Sequence, residues 1–161
     1  MGWNIALMAV KAGPDALDEI IPDVFDKTGE NLFFEDATSV MMDRALGVTA
    51  CNGWIIITDV LGRFIADDRY PAEVSESFEV KLFWIAEDLV YRHYRDGACV
   101  SEVAGIAAAG ACLEEKGIVP ADEWGETRII QILEAELFPG QTGEKGWDIL
   151  FRQKFDKYEL D

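Results

Sequence analysis

The sequence predicts an α+β fold, a mainly antiparallel sheet with a central three-strand meander and helices packed mostly on one face. Three observations predict it. The turn pairs Asn52-Gly53 and Asp96-Gly97 each join runs rich in β-branched and aromatic residues, as tight hairpins require. The stretch that starts at Ser77 and runs through Leu89 to Arg95 and the Asp96-Gly97 turn to Glu102 reads as a three-strand meander. Helical patterns cluster before and after these strands instead of alternating with them, which argues against a parallel sheet. With 161 residues, 50% of them hydrophobic, residues 1–161 are expected to form a single globular domain that needs neither a disulfide nor a structural metal.

Trp3 to Val10 is an apolar run too short for a stable helix and is cut off by Gly13-Pro14, so it is a buried first strand, central in the sheet. Pro14 opens a helix with Asp15, Asp18 and Glu19 near its positive end and Leu17, Ile20 and Ile21 facing inward, and Pro22 stops it. Leu32 to Glu35 fits a short strand, and Thr38 to Leu46 a short helix closed by Gly47. Trp54 to Thr58 is a strand, with Val48 to Cys51 as its hairpin partner across Asn52-Gly53.

In the meander, Phe78, Val80, Leu82 and Trp84 alternate with Glu79 and Lys81, which predicts one buried face. Glu87-Asp88 turns the chain into a second strand, Leu89 to Arg95. With Asp96 and Gly97 as a two-residue loop, Tyr94 faces Cys99, His93 faces Val100 and Tyr91 faces Glu102. Valine at position 97 should break this turn. Ile106 to Lys116 reads as a short helix ended by Gly117. Asp122 to Leu137 reads as a second, with Ile129, Ile130, Leu133 and Leu137 on one stripe. The final segment, Trp147 to Leu160, fits both helical and strand periods, with strand slightly favoured.

Thirty-one acidic and fourteen basic residues give a net charge of −17, spread through both halves of the chain and not gathered in a tail. Such a surface repels phosphate backbones and anionic headgroups, so neither nucleic acid nor membrane is an expected partner. Cys51, Cys99 and Cys112 are an odd number with no Cys-x-x-Cys pair, which fits reduced thiols in a cytoplasmic protein. The N-terminus lacks the pattern of an export signal, and the weakly polar stretch Val103 to Leu113 is too short to cross a bilayer.

Catalytic and cofactor motifs are sparse. The single histidine, His93, falls mid-strand and is read as filling a half-polar sheet face, with Cys99 on the opposite pleat. Gly105 to Gly110 has the outline of a phosphate loop but continues into Ala111-Cys112 without the Lys-Ser/Thr pair, so close helix packing explains its glycines. The adjacent acids, such as Glu35-Asp36 and Glu114-Glu115, lack calcium-loop spacing and read as solvated charge. No cofactor or metal is expected. Trp3, Trp54 and Trp84 belong to expected strands and to the core, whereas Trp124 and Trp147 lie where an exposed contact could form.

The opening Met1-Gly2-Trp3 and the hairpin Asn52-Gly53-Trp54-Ile55-Ile56-Ile57-Thr58-Asp59 resemble small, uncharacterised bacterial proteins over two short patches. The resemblance implies an intracellular α+β domain and transfers no catalytic residue. The functional expectation is therefore a non-enzymatic binding module, inhibitor-like or immunity-like, that uses acidic surface against a basic partner protein. Its expected contacts are Asp67, Asp68, Glu73 and Glu76, the densest acidic stretch of an expected loop, with Trp124 and Trp147. The alternatives are a small enzyme using His93, Tyr91 and a carboxylate, and a nucleic-acid mimic.

Overall fold

The structure is a computed structural model that describes residues 5–86, 88–139 and 146–160, the side chains of Gly146 and Trp147 excepted. Eight strands form one antiparallel sheet: β1 (Ile5–Val10), β2 (Phe25–Phe33), β3 (Ala45–Cys51), β4 (Trp54–Thr58), β5 (Val80–Ile85), β6 (Leu89–Arg95), β7 (Ala98–Ala104) and β8 (Lys154–Leu160). Their spatial order is β2-β8-β3-β4-β1-β5-β6-β7, so the fold class is α+β. The first strand is central, paired with β4 on one side and β5 on the other. All six of its residues are buried because both faces of the sheet are covered.

The helices divide into two unequal layers. α5 (Ile106–Glu115) and α6 (Gly125–Leu137) are the longest, and with α2 (Phe34–Ala37) and α7 (Gly146–Arg152) they cover Leu7, Ala9, Ile56, Phe83 and Tyr91. On the opposite face α1 (Leu17–Ile20), α3 (Arg63–Ala66) and α4 (Arg69–Val74), none longer than six residues, pack on Met8, Val10, Ile55, Ile57, Leu82 and Tyr94. Each fully buried Leu, Ile or Phe among these contributes about 1.5–3 kcal/mol of hydrophobic stabilisation.

Both hairpin turns form as the sequence predicts. Asn52 and Asp96 have φ of 54°, and Gly53 and Gly97 have φ of 83°, the paired positive values of a type I′ turn. The register past the second turn differs from expectation. Tyr94 faces Cys99, but a bulge then places Ser101, not Val100, opposite His93, and Val103 opposite Tyr91.

Four local expectations are corrected. β5 is buried on both pleats, because Phe83 and Ile85 face the long-helix layer and Val80 and Leu82 the short-helix layer. Leu32 and Phe33 only finish β2, which begins at Phe25, while Phe34 and Glu35 already belong to α2. The expected helix Thr38–Leu46 is instead a 3-10 turn, Val40–Met42, whose first residue is preceded by Ser39 accepting a bond from the Met41 amide, followed by the start of β3. Gly47 is accordingly no helix cap. A Cβ there would meet Thr58 Oγ1 at 2.5 Å, and that hydroxyl accepts the Gly47 N–H and donates to the Ala37 carbonyl. The C-terminal segment divides into α7 followed by β8.

Candidate functional site

On the short-helix face, the chain leaves β4 through Asp59 and turns at Gly62, whose φ of 64° is the left-handed conformation glycine adopts without strain. The turn brings Arg63 back over Asp59. Its Nη1 donates to Asp59 Oδ1 at 2.9 Å, its Nη2 donates to the Asp43 carbonyl, and its guanidinium lies 5.5 Å from the centre of the Phe25 ring. The other Asp59 oxygen accepts the Phe64 amide at 3.2 Å. Burial pushes the Asp59 carboxyl up, against the opposing pull of Arg63 and of backbone amides.

Beyond α3 the chain enters α4, so the acidic stretch expected as a loop contains a helix. Asp67 is held by Arg69, which donates from Nε and Nη2, and these hydrogen bonds bring its carboxyl down to about 2. Asp68 accepts the Tyr94 hydroxyl at 3.1 Å. Arg63, Phe64, Asp67, Arg69, Tyr70 and Glu73 line a cleft of about 500 Å³. Phe64 and Tyr70 form its aromatic wall, ring centres 5.0 Å apart. The Tyr70 hydroxyl is buried without a hydrogen-bond partner among the described residues, and burial followed by the Glu73 charge pushes its phenol far up. Glu73 has no ion-pair or side-chain hydrogen-bond partner among the described residues. Glu76 lies outside the cleft, beside Gly97.

The long-helix face holds charge of another kind. Lys81, expected on an exposed pleat, is only 6% exposed and donates to Glu136 Oε2 at 2.6 Å, with its ammonium 5.3 Å from the centre of the Trp54 ring. Lys116 bonds the other Glu136 oxygen. Burial acts to raise the Glu136 carboxyl, but the hydrogen bonds from Lys116 and Lys81 outweigh it and hold the group below its ordinary range. In the same layer Glu79 Oε2 meets His93 Nε2 at 2.8 Å and Arg95 Nη2 at 2.7 Å. Tyr91 is buried on this face, its phenol pushed up chiefly by burial. The trio of Tyr91, His93 and a carboxylate thus shares one face, but Glu79 is already engaged by two partners and the cleft lies on the other face. Cys99 sits opposite Tyr94, on the pleat away from His93.

Trp124 is 72% exposed immediately before α6, apart from the cleft-lining residues. The Trp147 side chain lies outside the described residues, as does Trp3. Trp54 is buried and Trp84 half-buried, both consistent with core positions. Close helix packing does not account for the Gly105 and Gly110 pair: a Cβ on Gly110 would meet only the flexible end of Arg128, Nη1 at 2.8 Å, and one on Gly105 would meet nothing within 4 Å, its φ of 90° being the feature that favours glycine there.

Sequence reasoning missed Asp59, Arg63 and Tyr70. The i,i+4 spacing of Asp59 and Arg63 was an available signal. Lys81 and Glu136 carried none, being 55 residues apart. Among the described residues no group of three or more His, Cys, Asp or Glu side chains is arranged to hold a metal ion, and no helix is long and apolar enough to cross a membrane. No protein family, curated protein or solved structure matches this chain.

Proposed function

We propose that the protein is a non-enzymatic recognition module that binds a basic partner protein through its short-helix face. One observation carries the reading. This layer exposes Asp15, Asp18, Glu19 and Asp23 around α1 and Asp67, Asp68, Glu73 and Glu76 around α4, while its basic residues Arg63, Arg69 and Arg92 are each tied to a carboxylate of the same chain. The field left over is negative. It attracts a basic surface and speeds encounter with it, and it opposes phosphate-rich and anionic-lipid surfaces. Free Cys51, Cys99 and Cys112 support a reducing, cytoplasmic setting.

Affinity capture from a native lysate at low and at high salt tests the proposal. The expected result is retention of a basic protein at low salt, weakened by salt and lost when Asp67, Asp68, Glu73 and Glu76 are replaced together by Asn or Gln. Retention that ignores both salt and this fourfold replacement overturns it, as does capture of no basic protein at all.

A further inference from the structure

The cleft between α3 and α4 holds four charged side chains, and three of them are satisfied inside the molecule. Arg63 is fixed on Asp59 and on the Asp43 carbonyl. Arg69 is clamped on Asp67 through two nitrogens, although Glu73 lies one helical turn along from it. Glu73 alone keeps an uncompensated carboxylate, exposed and beside the Tyr70 ring. The cleft therefore offers a ligand one anion and one aromatic wall. Its two cations offer little to an anionic ligand, because their best donors already point at carboxylates.

We infer that this cleft receives one arginine side chain of the partner, its guanidinium stacking on Tyr70 and pairing with Glu73. The inference rests on the recognition role proposed above and specifies its anchor. A planar guanidinium matches both elements at once, since it stacks on an aromatic face and forms two parallel hydrogen bonds to a carboxylate. An ammonium can satisfy the carboxylate but stacks less well, and an uncharged urea group loses the ion pair. Arginine anchors of this kind commonly carry a large share of an interface's affinity.

The experiment titrates N-acetyl-arginine amide, N-acetyl-lysine amide and N-acetyl-citrulline amide into the ¹⁵N-labelled full chain and follows amide shifts by NMR. The expected result is a saturable response at Phe64, Tyr70 and Glu73, strongest for arginine, several-fold weaker for lysine and absent for citrulline. Glu73→Gln should weaken arginine binding about tenfold or more, and Tyr70→Leu several-fold. Glu114→Gln, which removes the same charge from an exposed site on α5, should change nothing. If Tyr70→Leu fails to fold, Glu73→Gln, on the surface, decides the matter.

Equal binding of arginine and lysine that survives Glu73→Gln overturns the arginine cleft. If lysate capture of basic proteins persists alongside that result, the recognition role stands without it. If the arginine compound gives no response and no basic protein is captured, both fall.

Discussion

The two faces of the sheet use charge in opposite ways. On the long-helix face, the ionisable groups set against the sheet are drawn into the protein and paired with one another, while Glu35, Asp36, Glu114 and Glu115 stay out on the helix surfaces. Lys81 and Lys116 share Glu136, and His93 and Arg95 share Glu79. On the short-helix face the cations are paired, but carboxylates are left over and an open cleft lies among them. A charge whose partners are all internal serves the fold, because leaving it unpaired would be expensive. A charge left without a partner at the surface is available to another molecule. The chemically richest cluster in the sequence is therefore the structural one, and the plainer acidic stretch is the candidate for recognition.

The contrast can be broken first at Lys81. Lys81→Met leaves a largely buried Glu136 with only Lys116, and unfolding in denaturant should show a loss of about 3 kcal/mol. Adding Glu136→Leu should restore most of it, since an apolar pair removes the stranded charge as well. A loss below about 0.5 kcal/mol for the single variant would place this pair with ordinary surface ion pairs.

Acid titration sharpens the comparison with a smaller effect. Glu79 and Glu136 are held below the ordinary carboxyl value of 4.5, so their stabilisation is present above it and is lost as pH falls through their lowered values. Asp59 has the opposite sign. Its raised carboxyl favours the fold below the ordinary value of 3.8, and that contribution is lost as pH rises through the raised one. Denaturant curves from pH 6 to pH 3 should therefore show wild-type stability falling on acidification. The fall should be shallower in Glu136→Gln and steeper in Asp59→Asn.

The smallest effect lies in the cleft wall. Tyr70→Phe deletes a buried hydroxyl that has no partner among the described residues, so thermal unfolding should show unchanged stability or a gain of up to about 1 kcal/mol. A clear loss would mean that the hydroxyl is hydrogen-bonded in solution.

Much of this architecture was legible because its signals are local. The dipeptides Asn52-Gly53 and Asp96-Gly97 set two hairpins, and the uninterrupted apolar residues of β1 placed that strand in the middle of the sheet. Elsewhere the signal was absent. β2 is an edge strand paired only with β8, exposed over most of its length, so Phe25–Phe33 carries no apolar alternation. Thr38 to Leu46 fits a short helix closed by Gly47 on sequence alone, yet Leu46 pairs with Tyr158 as part of β3. The bulge that moved Ser101 opposite His93 leaves no mark in residue type. The acidic half of the cleft was visible as a charge run, whereas its aromatic wall depends on Phe64 and Tyr70, which come together only when α3 meets α4.

The position of β8 has a kinetic consequence. It lies between β2 and β3 and is the sole partner of β2 among the described residues, with the Thr28 hydroxyl bonded to the Lys157 carbonyl 129 residues away. β3 and β4 can zip as one hairpin and β5 to β7 as one meander, with β1 closing between β4 and β5, but β2 must wait for a very long loop to close before gaining its first ladder bond. Refolding should therefore end with a slow phase in which this edge docks. Until then the flank of β3 is open, which makes it the point where partly folded chains would join one another.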